Sequence, residues 1–222
     1  MTQPAIDSIT GLAKREALDK LLEKAITGGE QGCLTLALCD IDQFLHINEN
    51  FGHDGGDTVL KALADTMCGL KDATAIRYGG DEFAIVFNGL EREQAFLRLE
   101  ALRAAVAEIK GLSVNGADKP ISFTISVGLA AWPIDGGNQA ELLRKADAAL
   151  YRAKLGGRNK VMLAYEEKMV PKTAHFTATQ LERLADLAKD QAIGEAVLLR
   201  EALDDLLIKY VHGFQRIGLR SE

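Results

Sequence analysis

Two adjacent glycines between short β-like runs, Ala75-Ile76-Arg77-Tyr78 before and Phe83-Ala84-Ile85-Val86-Phe87 after, constrain this chain more than any other stretch. Tight hairpin turns need φ > 0, which glycine adopts without steric cost, so Gly79-Gly80 reads as a hairpin tip. A hairpin sets two strands antiparallel, and around it the apolar pattern alternates between helix and strand. A purely parallel, doubly wound sheet is thereby excluded. The tip also carries Asp81 and Glu82. Adjacent carboxylates repel, and two explanations stand: a solvated turn, or a hard cation held between them.

A 3.6-residue stripe through Ala17, Leu18, Leu21, Leu22, Ala25 and Ile26 predicts a helix over residues 14–27, ended by Gly28-Gly29. Residues 33–39 are apolar but for Thr35, which suits a strand buried on both faces, and they run into Asp40-Ile41-Asp42. Asp42 fits either a metal ligand or a helix N-cap. Residues 44–50 predict a short helix, 51–57 a tight glycine-rich loop, and 58–70 an amphipathic helix. After the hairpin come a helix over about 91–110, a loop over 111–119 and a strand over 122–132. A helix over about 139–154 follows, stopped by Gly156-Gly157, then a strand over 160–165. This order predicts an α/β (α+β) sandwich with a central, mainly antiparallel sheet and helices packed on it.

The 222 residues are 47% hydrophobic and 26% charged, enough to bury a sizeable core. A net charge of −6 argues against a general nucleic-acid-binding surface. Cys33, Cys39 and Cys68 sit in apolar or helical surroundings without metal-ligand spacing, as expected for buried thiols of a reduced, cytoplasmic protein. No apolar run approaches the roughly 18 residues of a membrane span, and no signal peptide opens the chain. Only six residues precede Asp7, so no N-terminal sensor domain is expected.

The texture changes near Val170-Pro171, dividing a domain of residues 1–168 from a helical appendage of residues 169–222. A polar stretch is followed by a helix with Leu181, Leu184, Ala185, Leu187 and Ala188 on one face. A second helix, split from it near 191–194, carries Val197, Leu198, Ala202, Leu206 and Tyr210. The pattern resembles a ribbon-helix-helix module, a dimer-forming unit of many bacterial DNA-binding proteins. A plain helical hairpin is the other reading. The ribbon would offer Lys172, Thr173, His175 and Thr177 with acidic helices behind, a poor match to DNA, so pairing of two copies is the better supported role.

Five motifs occur in order along residues 7 to about 165: Asp40-Ile41-Asp42-Gln43-Phe44, then Ile47-Asn48, then Gly52-His53 with Gly56-Asp57, then the hairpin from Arg77 to Phe83. The fifth is Ala146-Asp147-Ala148-Ala149-Leu150-Tyr151 with Ala153-Lys154 and Gly157-Arg158-Asn159. Together they resemble the GGDEF diguanylate cyclases, bacterial enzymes that condense two GTP into cyclic di-GMP. The resemblance implies a palm-like fold, Mg2+ (or Mn2+) as cofactor, GTP as substrate and a homodimer, because each site holds one GTP. It implies Asp40, the Ile41 carbonyl and Asp81 as metal ligands, with Asp81 also accepting a proton and Glu82 assisting. Guanine would be read by Asn48 and Asp57, with His53 touching the substrate. Phosphates would be held by the backbone N–H groups of Gln43 and Phe44 and by Lys154 and Arg158. Phosphoryl transfer builds negative charge on phosphoryl oxygens, which is why metals and cations cluster in such a site. Taken alone, Lys154 and Arg158, spaced by one helical turn, also read as solvated cations at a helix C-terminus.

Three positions depart from the family pattern. Leu45 stands where the family usually has a lysine that steadies the transition state; losing one such contact costs about 2.7–4 kcal/mol of barrier. A catalytically weak module that binds GTP or a partner is therefore the alternative reading. Leu70 and Ala73 occupy the arginine and aspartate positions of the RxxD product-inhibition motif, so that feedback is expected to be absent. Glu49 replaces an aspartate, a mild change.

Overall fold

The computed structural model describes residues 5–27, 33–113, 120–164 and 173–191, with a few positions between 194 and 206. The expected helix stop at Gly28-Gly29 and the boundary at Val170-Pro171 lie outside the described residues. β1 (Ala13–Lys14) and α1 (Arg15–Thr27) come first, then β2 (Leu34–Ile41), buried along its whole length. α2 (Phe44–Cys68), β3 (Ala73–Arg77), β4 (Glu82–Asn88) and α3 (Arg92–Ala107) follow. β5 (Ile125–Trp132), α4 (Gln139–Leu155) and β6 (Val161–Leu163) complete this part. The strands form one sheet in the order β1-β3-β4-β2-β5-β6. The three inner pairs are antiparallel, and the two edge pairs, β1–β3 and β5–β6, are parallel. The architecture is the expected α/β sandwich with an antiparallel centre.

Alternation along the strands sorts the layers, because successive side chains point to opposite faces. Ala37, Cys39 and Ile41 of β2 join Phe83, Ile85 and Phe87 of β4 in a core shared with α2 and α3 residues such as Leu63 and Leu99. Leu34, Leu36 and Leu38 join Ala84 and Val86 in a second core with Leu18 and Leu22 of α1 and Leu142 and Leu150 of α4. The same period assigns Asp40 and Glu82 to the α1/α4 side. There α4 lies very close to the sheet. A Cβ on Gly128 of β5 would stand 2.0 Å from the Leu150 nitrogen and 2.3 Å from the Ala146 oxygen, so backbone rests on backbone and glycine alone fits.

Several expectations need correction. Residues 51–57 are helical rather than a loop; α2 continues to Cys68 with one break, at Gly52 (φ 69°, ψ 179°). Gly55 and Gly56 are buried inside the helix, and a Cβ on Gly56 would lie 2.1 Å from Asn48 Oδ1. These glycines serve close packing, which composition alone does not distinguish from loop formation. Cys39 is buried and Cys33 half-buried, but Cys68 is exposed. The two-residue β1 is too short to leave a periodic signal, and β5 starts at Ile125 rather than at 122.

Residues 168–222 form a second compact unit, separate from residues 1–167. Its described helix, α5 (Ala178–Gln191), starts with a reciprocal cap. The Thr177 hydroxyl accepts from the Gln180 amide at 3.2 Å, and Gln180 Oε1 accepts from the Thr177 amide at 2.9 Å. Leu181 and Leu187 are exposed on it. Residues 173–177, the expected ribbon, are in no strand. No described helix is long and apolar enough to cross a membrane.

Candidate active site

The centre of the site is the end of β2. Asp40 pairs in register with Glu82 of β4, and the two project to the same side of the sheet. From α4, Lys154 reaches the same place, its Nζ 2.7 Å from Asp40 Oδ2. Asp40 is buried, and burial pushes its carboxyl up to about 6; Lys154 opposes that rise, while the charges of Asp81 and Glu82 add to it. Among the described residues no group of three His, Cys, Asp or Glu side chains is arranged to hold a metal ion. The donor chemistry nevertheless fits one. Asp40 is a carboxylate whose charge is opposed by burial and by two acidic neighbours, and a hard cation beside it relieves both penalties. Lys154 does part of that work here.

The hairpin tip is laced to this point through its backbone. The amides of Tyr78 and Gly79 donate to the Glu82 carbonyl at 2.9 and 3.1 Å, closing the turn, and the Ile41 amide donates to the Asp81 carbonyl at 3.3 Å. Arg77 braces the turn from inside. Its Nε donates to the Gly79 carbonyl at 2.6 Å, its Nη2 donates to the Gly80 carbonyl, and its guanidinium lies 4.8 Å from the Phe83 ring centroid. Burial lowers the Arg77 guanidinium, and the charges of Asp7, Asp81 and Asp57 act against that. Sequence reasoning missed this role. The available signal was an arginine two residues ahead of paired glycines, within reach of their carbonyls.

The α2 helix supplies a second group. Its N-cap, Gln43, is left-handed (φ 57°) and makes no side-chain cap, and the first turn holds no acidic residue. Backbone N–H groups there are left for an anion. Leu45 in that first turn is 72% exposed. The break at Gly52 lets Gly56 pack on Asn48, which brings Asn48 and Asp57 into one neighbourhood; Asp57 and His53 are both exposed.

Lys154 and Arg158 do not act as one helical pair. α4 ends at Leu155, Gly157 turns the chain with φ 103°, and Arg158 is left-handed at φ 61°. Arg158 opens on a cleft of about 950 Å³ that Gln43, Ile47, Phe51, Phe123 and Thr124 also line. Lys154 lines a smaller cavity of about 260 Å³ with Glu82, Asp147 and Tyr151. Asp42 is engaged elsewhere: its carboxylate accepts from Thr124, Ser126 and the Asn159 amide, and the N-cap of α2 is Gln43 instead.

Comparison with known proteins shows the family to which the chain belongs. Residues 4–160 match the diguanylate cyclase GGDEF domain family. The chain is 39% identical over 164 residues to the diguanylate cyclase DgcP of Pseudomonas aeruginosa, covering 71% of this chain and 24% of that protein. It is 36% identical over 140 residues to diguanylate cyclase A of Treponema denticola, covering 62% of this chain and 37% of that protein. The chain thus spans well under half the length of these curated relatives. Among solved structures, the coiled coil and GGDEF domain of DgcB from Caulobacter crescentus, in complex with c-di-GMP, superposes with a TM-score of 0.66 at 33% identity. That match covers 72% of this chain and 85% of the other.

Proposed function

Because the chain belongs to the GGDEF family of diguanylate cyclases, we propose that it condenses two GTP into cyclic di-GMP with release of pyrophosphate, working as a homodimer in the cytoplasm. The observation that carries this reading is the meeting of Asp40, Glu82 and Lys154 at the end of β2, beside the laced hairpin. Asp40, the Ile41 carbonyl and Asp81 would hold Mg2+ (or Mn2+), which when bound neutralises charge at the reacting phosphate and lowers the pKa of the attacking hydroxyl. Asp81 takes the proton from the ribose 3′-OH, and Glu82 assists. The N–H groups of Gln43 and Phe44 and the cations Lys154 and Arg158 hold the phosphates. Asn48 donates to and accepts from the guanine edge, Asp57 accepts from its N1–H and 2-amino groups, and His53 borders the substrate. Each subunit contributes one GTP, so two sites must face one another. With Leu70 and Ala73 at the RxxD positions, product feedback through that motif is absent.

Incubating the protein with GTP and Mg2+ over a range of protein concentrations tests the reading. Cyclic di-GMP should form at a rate that rises more steeply than protein concentration. No product at high protein concentration sinks it. The exposed Leu45 favours a second reading, a weak cyclase or GTP-binding module that acts by interaction. GTP binding with little or no turnover, raised by Leu45→Lys, would support that one.

A further inference from the structure

We propose that Asp42 is a positioning residue: with Asn159 and Arg103 it forms a latch that holds Arg158 in the left-handed turn from which it faces the phosphate end of the substrate. The inference rests on the GTP-binding site proposed above.

Arg158 and Asn159 are consecutive non-glycine residues at φ 61° and 47°, a conformation that a Cβ disfavours and that persists only where surrounding contacts hold it. Those contacts come from three sides. The Arg158 amide donates to the Ala153 carbonyl at 3.0 Å, which folds the turn back on the end of α4. The Asn159 amide donates to Asp42 Oδ2 at 2.9 Å. The same oxygen accepts from Thr124 Oγ1 at 2.7 Å, and Oδ1 accepts from Ser126 Oγ at 2.6 Å. From α3, Arg103 Nη1 donates to Asn159 Oδ1 at 2.8 Å, while its Nε donates to Glu100 Oε2 at 3.0 Å. Glu100 Oε1 in turn accepts from the Val161 amide at 3.1 Å.

The turn is therefore pinned to the start of β5 through Asp42 and to α3 through Arg103. Asp42, although two residues from Asp40, spends its oxygens on this latch and is 7% exposed. The cleft beside the turn is lined by Arg158, Asn159, Asp42 and Gln43, so the latch forms one wall and the helix N-terminus proposed to hold phosphate forms another. Asp42, Asn159 and Arg103 act on the substrate through Arg158 and need not touch it.

The test is a double-mutant cycle on GTP binding, measured by calorimetry on the full chain with Mg2+. Arg103→Met keeps the aliphatic stem and removes the bond to Asn159. It should weaken GTP binding roughly tenfold, as expected for losing the aim of one charged hydrogen bond. Combined with Arg158→Ala, it should weaken binding no further than Arg158→Ala alone. Asp42→Ala removes the acceptor for the Asn159 amide and should weaken GTP binding in the same way, again with no further loss beyond that of Arg158→Ala. Parent-like binding by either Arg103→Met or Asp42→Ala, or penalties that multiply in the double variants, overturns the latch. A parent chain that binds GTP but makes no cyclic di-GMP overturns the proposed activity, while the same cycle still decides the latch. One that binds no GTP overturns both.

Discussion

Asp40 bears a cost imposed by its position. Ordinary carboxyls titrate near 3.8, and burial together with Asp81 and Glu82 raises this one to about 6 despite Lys154. The folded value lies above the unfolded one, so the unfolded chain loses its proton first as pH rises. The metal-free protein should lose stability between about pH 4 and 6 and show no further loss from this group above that range. Asp40→Asn should flatten that slope in thermal melts and raise the melting temperature at pH 7, while abolishing cyclic di-GMP formation. Residues that serve a site at the expense of stability behave in this way. Leu45 makes the opposite case. It is 72% exposed in the first turn of α2, so Leu45→Lys adds a cation with little packing lost. If that position limits the chemistry, turnover should rise about 100-fold or more, the inverse of losing one such donor. Unchanged turnover places the limit elsewhere. The identity of these residues was plain in the sequence; the contact between Lys154 and Asp40 was not, because it joins positions 114 apart through the packing of α4 on the sheet.

Among the elements, α4 and β5 depend on each other most closely. Gly128→Ala would drive a methyl into the α4 backbone at Ala146 and Leu150, and neither backbone can move aside without shifting the helix. A loss of about 3 kcal/mol or more is expected, read by urea unfolding, with activity falling as Lys154 moves with α4. Gly52→Ala tests a different constraint. There a methyl would meet open space, but φ is 69° with ψ 179°, a combination that only glycine adopts readily, so the cost is backbone strain of up to about 3 kcal/mol. The hairpin, α1 and α4 were legible from a clear period or a glycine stop, and β2 from its continuous apolar run. The stretch from 51 to 57 was misread because glycine has two uses, and only the close approach of Gly56 to Asn48 distinguishes them. The path of the chain at Arg158 was hidden for a related reason: the helix stop was legible, but the contacts of Asn159 with Asp42 and Arg103 join distant positions.

On the scale of the whole molecule, two compact units share one chain. Residues 178–191 present Leu181 and Leu187 to solvent on a capped amphipathic helix, which supports the proposal that this unit brings two copies together. Removing residues 168–222 should lower specific activity at low protein concentration and leave it unchanged at high concentration, because a tether raises effective concentration without adding a catalytic contact. Equal loss at every concentration would assign the unit another role. The sequence by itself determined the mixed architecture, the two buried faces of β2 and the order of the motifs, since period and turn chemistry are local properties. Only the tertiary structure decided that Asp40 meets Glu82 and Lys154, that Arg77 braces the hairpin, and that the Asp42 carboxylate accepts from Thr124, Ser126 and the Asn159 amide. Those are contacts between distant positions, set by sheet register and helix packing, and no local pattern encodes them.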